Sequence, residues 1–220
     1  ILAHPKDKIM IASIMPNDNS KLFSIAKSKP AIEIAIEKVV DQQLLPHHEI
    51  SVQYADSQCS VTTAPLRAIE LYYRGEVSIF LGPVCDYSLA PVARYSPFWN
   101  IPVITPGGFA HDFGEKTPPR AEYALLTRVG TVTFDSLATS ILGALEFYHW
   151  TSIKIVYTIE GHGGHGGNRF CYLAMSAFTK KLRTTKTMAY HLFLYNGMDT
   201  EDSLKKILLD EVGNKYSSKI

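Results

Sequence analysis

Apolar residues fall in short runs set between longer segments of periodic polarity. Lys8–Met15 is a continuous apolar run stopped by Pro16–Ser20. Its length suits a parallel strand buried on both faces. In Pro30–Val40 the apolar positions 32, 36, 39 and 40 share one helical face, and Pro30 is expected in the first turn. Ile50–Tyr54 alternates like a strand and Ala64–Tyr73 reads as a helix. Val77–Leu81 is a third strand, ended by Gly82-Pro83. Ser88–Trp99 is expected to be helical, with Pro91 near its first turn, and Ile101–Thr105 is a fourth strand.

His111–Arg120 reads as loop, and Glu122–Arg128 as a strand. Phe134–Trp150 has an apolar stripe at 134, 137, 141, 142, 145 and 148, which predicts a helix. Ile153–Tyr157 is a strand, Gly161–Gly167 a flexible loop, and Phe170–Leu182 a helix. His191–Tyr195 is a strand and Asp202–Val212 a helix. This alternation predicts an α/β protein with parallel sheets covered by helices on both faces. Two units are expected, residues 6–128 and 129–220. The second holds only about two strand–helix pairs, too few for a comfortable lobe, so it is expected to be truncated.

Composition narrows the class. The 220 residues are 46% hydrophobic and 20% charged, which excludes a disordered chain. A net charge of +1 gives no reason to expect nucleic acid as a partner. No apolar run reaches the ~18 residues of a membrane span. The chain starts without Met or a signal-peptide apolar segment, as a piece of something longer would. There are three cysteines, Cys59, Cys85 and Cys171, and no CxxC. Three buried thiols are ordinary in a cytosolic chain; in a secreted one, an odd count leaves a free thiol or an outside partner.

Candidate chemistry is sparse. The glycine loop lacks the Lys-Ser/Thr of a phosphate-binding loop and does not follow the first strand, so no nucleotide cofactor is expected. His162 and His165 read as incidental residues of a solvated loop, and no metal site is expected. No nucleophile elbow, HExxH or paired-carboxylate motif occurs, so nothing marks the chain as an enzyme. The informative stretch is Phe80–Arg94, where a buried strand runs through a Gly-Pro turn into a helix. Such a strand end faces the ligand crevice of an open α/β sheet, and its backbone N–H groups can hold an anion. Tyr87 and Arg94 lie near that end, as ligand contacts or as plain helix cover.

The run Leu81-Gly-Pro-Val-Cys-Asp-Tyr87 with Ala90-Pro-Val-Ala-Arg94 resembles the ectodomains of natriuretic peptide receptors. Supporting pieces follow in order: Leu22-Phe-Ser24, Lys29-Pro-Ala-Ile-Glu33, Tyr54-Ala-Asp-Ser-Gln-Cys59, Trp99-Asn-Ile-Pro102, Glu122–Arg128 and Trp150. The resemblance implies a type I periplasmic-binding-protein-like fold of two parallel-sheet lobes, the second incomplete here. It also implies a Cys59–Cys85 disulfide, with Cys171 paired beyond this sequence. Closing a loop of about 27 residues stabilises by roughly 3 kcal/mol. The same family holds a chloride, for which Ser57, Val84 and Cys85 are the matching positions. Tyr87, Arg94, Tyr157, Tyr172 and Leu173 match positions near the peptide groove. Tyr73 and Phe98 match a dimer interface. Val61, Leu173 and the long glycine loop depart from the family pattern.

The expected function is therefore the extracellular ligand-binding region of a membrane receptor. It would bind a peptide hormone and signal through rearrangement of a homodimer, to a guanylate cyclase outside this sequence. Membrane attachment would likewise lie outside these residues. The alternative is a solute-binding protein of the same fold for an amino acid or similar small molecule. No Asn-x-Ser/Thr sequon occurs, so N-glycosylation is not expected within this stretch.

Overall fold

In the first sheet, β1 (Asp7–Met15) lies between β2 (His48–Asp56) and β3 (Val77–Leu81), and the sheet continues through β4 (Val103–Thr105) to β5 (Leu126–Arg128). All four pairings are parallel. The computed structural model describes residues 7–75, 77–117, 121–130, 132–161, 164–185, 188–195 and 200–213. Helices α1 (Ile25–Asp41), α2 (Thr63–Tyr73) and α3 (Asp86–Trp99) make the crossovers between β1 and β4. Parallel strands require such crossovers. The strand order β2-β1-β3-β4-β5 is that of a doubly wound sheet, so its switch point falls between β1 and β3.

β1 is central and apolar, as its continuous run requires. Ala12 and Ile14 are fully buried, together with Phe80, Leu89, Val92 and Val103. β2 is an edge strand and alternates between half-buried and exposed positions along most of its length. Helix α1 buries none of its residues completely; Ile25 and Ile32 pack against Met15 and the two bridged cysteines.

The second unit contains α4 (Phe134–Phe147), β6 (Ser152–Tyr157), α5 (Phe170–Thr185), β7 (Ala189–Leu194) and α6 (Glu201–Glu211). β6 and β7 pair in parallel as a two-stranded sheet. Ala138, Leu142 and Leu145 of α4 meet Phe178 and Leu182 of α5 over Ile153, Ile155 and Tyr190. The division between the units is not one cut. Residues Phe109–His111 group with the second unit and Gly163–Asn168 with the first. Among the described residues no helix is long and apolar enough to cross a membrane.

Several boundaries differ from expectation. α1 begins at Ile25, and Ser24 caps it by accepting the Lys27 N–H at 3.4 Å. Pro30 therefore lies inside the helix, where its missing N–H leaves the Ala26 carbonyl without the usual partner. Helix α3 starts two residues before the expected Ser88, so Pro91 lies beyond its first turn. β5 is only three residues long, because Glu122–Leu125 forms a turn with buried Tyr123 beneath it. The expected loop at His111 contains a short 3₁₀ turn, His111–Gly114. Helix α4 stops at Phe147, where His149 adopts a left-handed conformation and the Trp150 N–H returns to Leu145 O.

Candidate functional site

The carboxyl ends of β1 and β3 form the switch point, and glycine makes the turn there possible. Gly82 has φ +87°, and a Cβ on it would sit 2.4 Å from the Ile14 carbonyl oxygen. A Cβ on Gly107 would meet the Val84 carbonyl at 2.0 Å. Backbones this close admit no side chain. The buried Thr105 hydroxyl ties the two turns together, donating to Pro83 O at 2.7 Å and accepting from Gly107 N at 3.0 Å.

Cys59 and Cys85 are joined by a disulfide at this end of the sheet. Ser57 is fully buried; its N–H donates to Met15 O, and its hydroxyl accepts the Cys59 N–H at 3.3 Å. Val84 and Cys85 are buried beside Met15 and Cys59. Among the described residues, neither the Val84 nor the Cys85 amide N–H donates a hydrogen bond. Asp86 opens α3 and is itself buried, so the positive end of the helix already faces a carboxylate.

Tyr87 and Arg94 both stand on α3, Tyr87 half-buried and Arg94 exposed. Arg94 Nε donates to Glu122 Oε1 at 2.6 Å, one Nη donates to the Tyr123 hydroxyl at 3.0 Å, and the guanidinium lies 5.4 Å from the Tyr123 ring centroid. The Arg94 hydrogen bond holds the Glu122 carboxyl below its ordinary value, and the same bond raises Arg94. Burial pushes the Tyr123 phenol up to about 12, so it remains a neutral donor or acceptor. Arg94, expected as a ligand contact, is thus occupied by its own unit and has one terminal nitrogen outside these bonds.

The other expected ligand contacts belong to the second unit. Tyr157 ends β6, and Tyr172 lies in the first turn of α5. Both line a cavity of about 440 Å³ with Met175, Lys180, Arg183 and Leu192. Leu173, the neighbour of Tyr172, is half-buried and does not line it. Arg169 lies over the Tyr172 ring at 4.5 Å, and its N–H donates to Glu160 Oε2 at 2.6 Å. Cys171 is a free thiol, half-buried. The lining residues beyond Tyr172 escaped sequence reading. The signal was present, because 172, 175, 176, 179, 180 and 183 follow helical spacing.

Tyr73 and Phe98, expected at a dimer contact, are 82% and 87% exposed. Beneath them Tyr72 of α2 stacks on Trp99 of α3, with ring centroids 5.0 Å apart. The glycine loop departs from its expected solvated state. His162 lies outside the described residues, but Gly164 accepts from Lys21 Nζ at 2.7 Å and His165 O accepts the Leu22 N–H at 3.1 Å. Gly167 is buried, and a Cβ there would stand 3.0 Å from Cys85 Cβ. The absent side chains let this backbone lie against the first unit.

These features define a binding module of parallel α/β units, with a disulfide-bridged switch point in one and an aromatic-lined cavity in the other. The chain belongs to the family described as receptor family ligand binding region, whose model matches residues 27–213. It is 28% identical over 218 residues to the human atrial natriuretic peptide receptor 3, covering 95% of this chain and 39% of that protein. The mouse receptor 3 is 29% identical over 209 residues, covering 91% of this chain and 37% of the relative. The rat atrial natriuretic peptide receptor 2 is 28% identical over 145 residues, covering 66% and 13%. The chain thus spans about two fifths of the receptor 3 relatives' length or less. The type I periplasmic-binding-protein-like α/β fold expected from the sequence agrees with this membership.

Proposed function

We propose that the chain is the extracellular ligand-binding region of a natriuretic-peptide-receptor-like membrane receptor, itself without a catalytic role, and that its ligand is a peptide hormone. The observation that carries this reading is the placement of Tyr157 and Tyr172 around one cavity, within a chain of the receptor ligand-binding family. Aromatic walls suit peptide side chains, which gain burial at little entropic cost against rigid rings. Tyr87 and Arg94 supply a polar and aromatic surface in the first unit. Binding to one arrangement of a homodimer in preference to another shifts the dimer toward it, and a guanylate cyclase outside this sequence reads that shift.

A chloride belongs to the same proposal. Buried Ser57 offers a hydroxyl, and the Val84 and Cys85 amides are donors without protein acceptors among the described residues. A hydroxyl and two amides suit a weakly hydrated halide. It would fix the turn between β3 and α3. Asp86 already takes the helix end, so the anion depends on the amides before the helix.

The test is to express the full-length parent at a cell surface and titrate it with a labelled natriuretic-type ring peptide while recording cyclic GMP. Saturable binding weakened at least tenfold by Tyr172→Ala supports the reading. Capture of free amino acids with no saturable peptide binding overturns it in favour of a solute-binding protein.

A further inference from the structure

The cavity in the second unit has a polarity that the peptide-receptor reading does not by itself supply. Tyr157, the last residue of β6, and Tyr172, in the first turn of α5, both line it. Lys180 and Arg183 lie eight and eleven residues along α5 from Tyr172 and line the same cavity. At 1.5 Å rise per residue, the two cations lie roughly 12 and 16 Å along the helix from the tyrosine. Met175 lies between them along α5, Leu192 of β7 adds apolar lining, and no Asp or Glu lines the cavity among the described residues.

The two cations are differently prepared. Arg183 Nε donates to the Tyr190 hydroxyl at 3.3 Å, which holds the guanidinium, and its terminal N–H groups have no acceptor among the described residues. Lys180 is exposed and has no hydrogen-bond or ion-pair partner among the described residues. Arg183, in the last turn of α5, also complements the helix dipole. That accounts for its sign, but not for Lys180 or for both cations standing in one cavity with two tyrosines. Arg169 lies over Tyr172 while Glu160 holds the Arg169 N–H. Positive and negative groups meet beside Tyr172, whereas among the described residues Lys180 and Arg183 are the charged groups that line the cavity.

We propose that this cavity receives an extended peptide segment with an aromatic or apolar side chain on Tyr157 and Tyr172 and an acidic group, about three or four residues away, on Lys180 and Arg183. An extended chain advances about 3.3 Å per residue, so that spacing covers the span. The inference rests on the peptide-binding reading and adds the charge and order of the segment. Charge complementarity fixes the orientation of the segment and rejects a basic one.

The test uses the 220-residue chain and two capped peptides, acetyl-Tyr-Ala-Ala-Glu-amide and its Gln counterpart, titrated by NMR. The Glu peptide is expected to bind about fivefold tighter at low salt and to lose that advantage at ~0.5 M salt. Lys180→Glu should weaken the Glu peptide about fivefold and leave the Gln peptide unchanged, with Arg183→Gln giving a smaller loss in the same direction. Lys205→Glu on α6 is the control and should change neither. Equal binding of both peptides, lost in Tyr172→Ala, overturns the acidic segment and leaves the peptide-receptor reading standing. Binding of neither peptide up to about 5 mM also overturns it, while ring-peptide binding to the full-length receptor decides the parent reading separately.

Discussion

Arg94 and Glu122 form a hydrogen-bonded ion pair at 2.6 Å, joining α3 to the turn before β5. Both side chains are about half exposed, so water screens the pair and its contribution is modest, about 0.5 kcal/mol. The Glu122 carboxyl is held below its ordinary value, first by the Arg94 hydrogen bond. A depressed carboxyl stabilises fully above its unfolded value and loses that contribution as pH falls through its folded value. Glu122→Gln should therefore cost about 0.5 kcal/mol at pH 7 and progressively less as pH falls toward 2. Urea unfolding at the two pH values checks this. An equal cost at both would assign the effect to packing against Tyr123.

The Cys59–Cys85 bridge closes a loop that contains α2 and β3. In the chain-entropy account such a loop of sequence separation 26 contributes about 3 kcal/mol, acting on the unfolded chain. Cys59→Ser with Cys85→Ser should lower unfolding free energy by about that amount. Non-reducing peptide mapping of the parent recovered from the cell surface should yield the two cysteines in one cross-linked pair. Recovery of both as free thiols would contradict an extracellular location.

Thr105 joins two backbone turns through one hydroxyl. Thr105→Val keeps the shape and removes both hydrogen bonds, stranding the Pro83 carbonyl and the Gly107 N–H in a buried place. Such stranded groups cost about 1–3 kcal/mol together with the lost bonds. Thr105→Ser retains the hydroxyl and should cost less than half as much. Because Pro83 begins the turn leading to Tyr87, the valine variant should also weaken peptide binding, measured on folded protein below its melting temperature.

Much of this fold was legible because the relevant signals are local. The continuous apolar run of β1, the alternation in β2 and the Gly-Pro stop after β3 each report burial or turn chemistry within a few residues. Boundaries were less legible where a single polar group decides them. Ser24, not Pro30, starts α1, and His149 in a left-handed conformation, not Trp150, ends α4. The candidate site was legible only in part. Tyr157 and Tyr172 do share a cavity, yet Arg94 is paired to Glu122, which lies 28 positions away. Nothing in either local sequence announces that partnership. The glycine loop misled because its composition reads as flexibility, whereas its glycines also permit close approach to Cys85.

The exposed aromatics Tyr73 and Phe98 supply the last prediction. Each is more than four fifths exposed, and exposed apolar surface marks an interaction site where it forms a contiguous patch. They stand on α2 and α3, which Tyr72 and Trp99 lock together by stacking, so the pair presents a firm face and not a mobile tip. Aromatics on such a face match the composition of interface cores. Exposed positions tolerate substitution within about 0.5 kcal/mol, and Tyr73 gives up only an edge contact with the Tyr72 ring, so charge placed there reports association with little effect on folding. Tyr73→Glu with Phe98→Glu should leave the melting temperature nearly unchanged. It should also convert a dimer into a monomer in sedimentation velocity. A wild-type chain that sediments as a monomer at tens of micromolar, or a double variant that still dimerises, would remove this face as the homodimer contact.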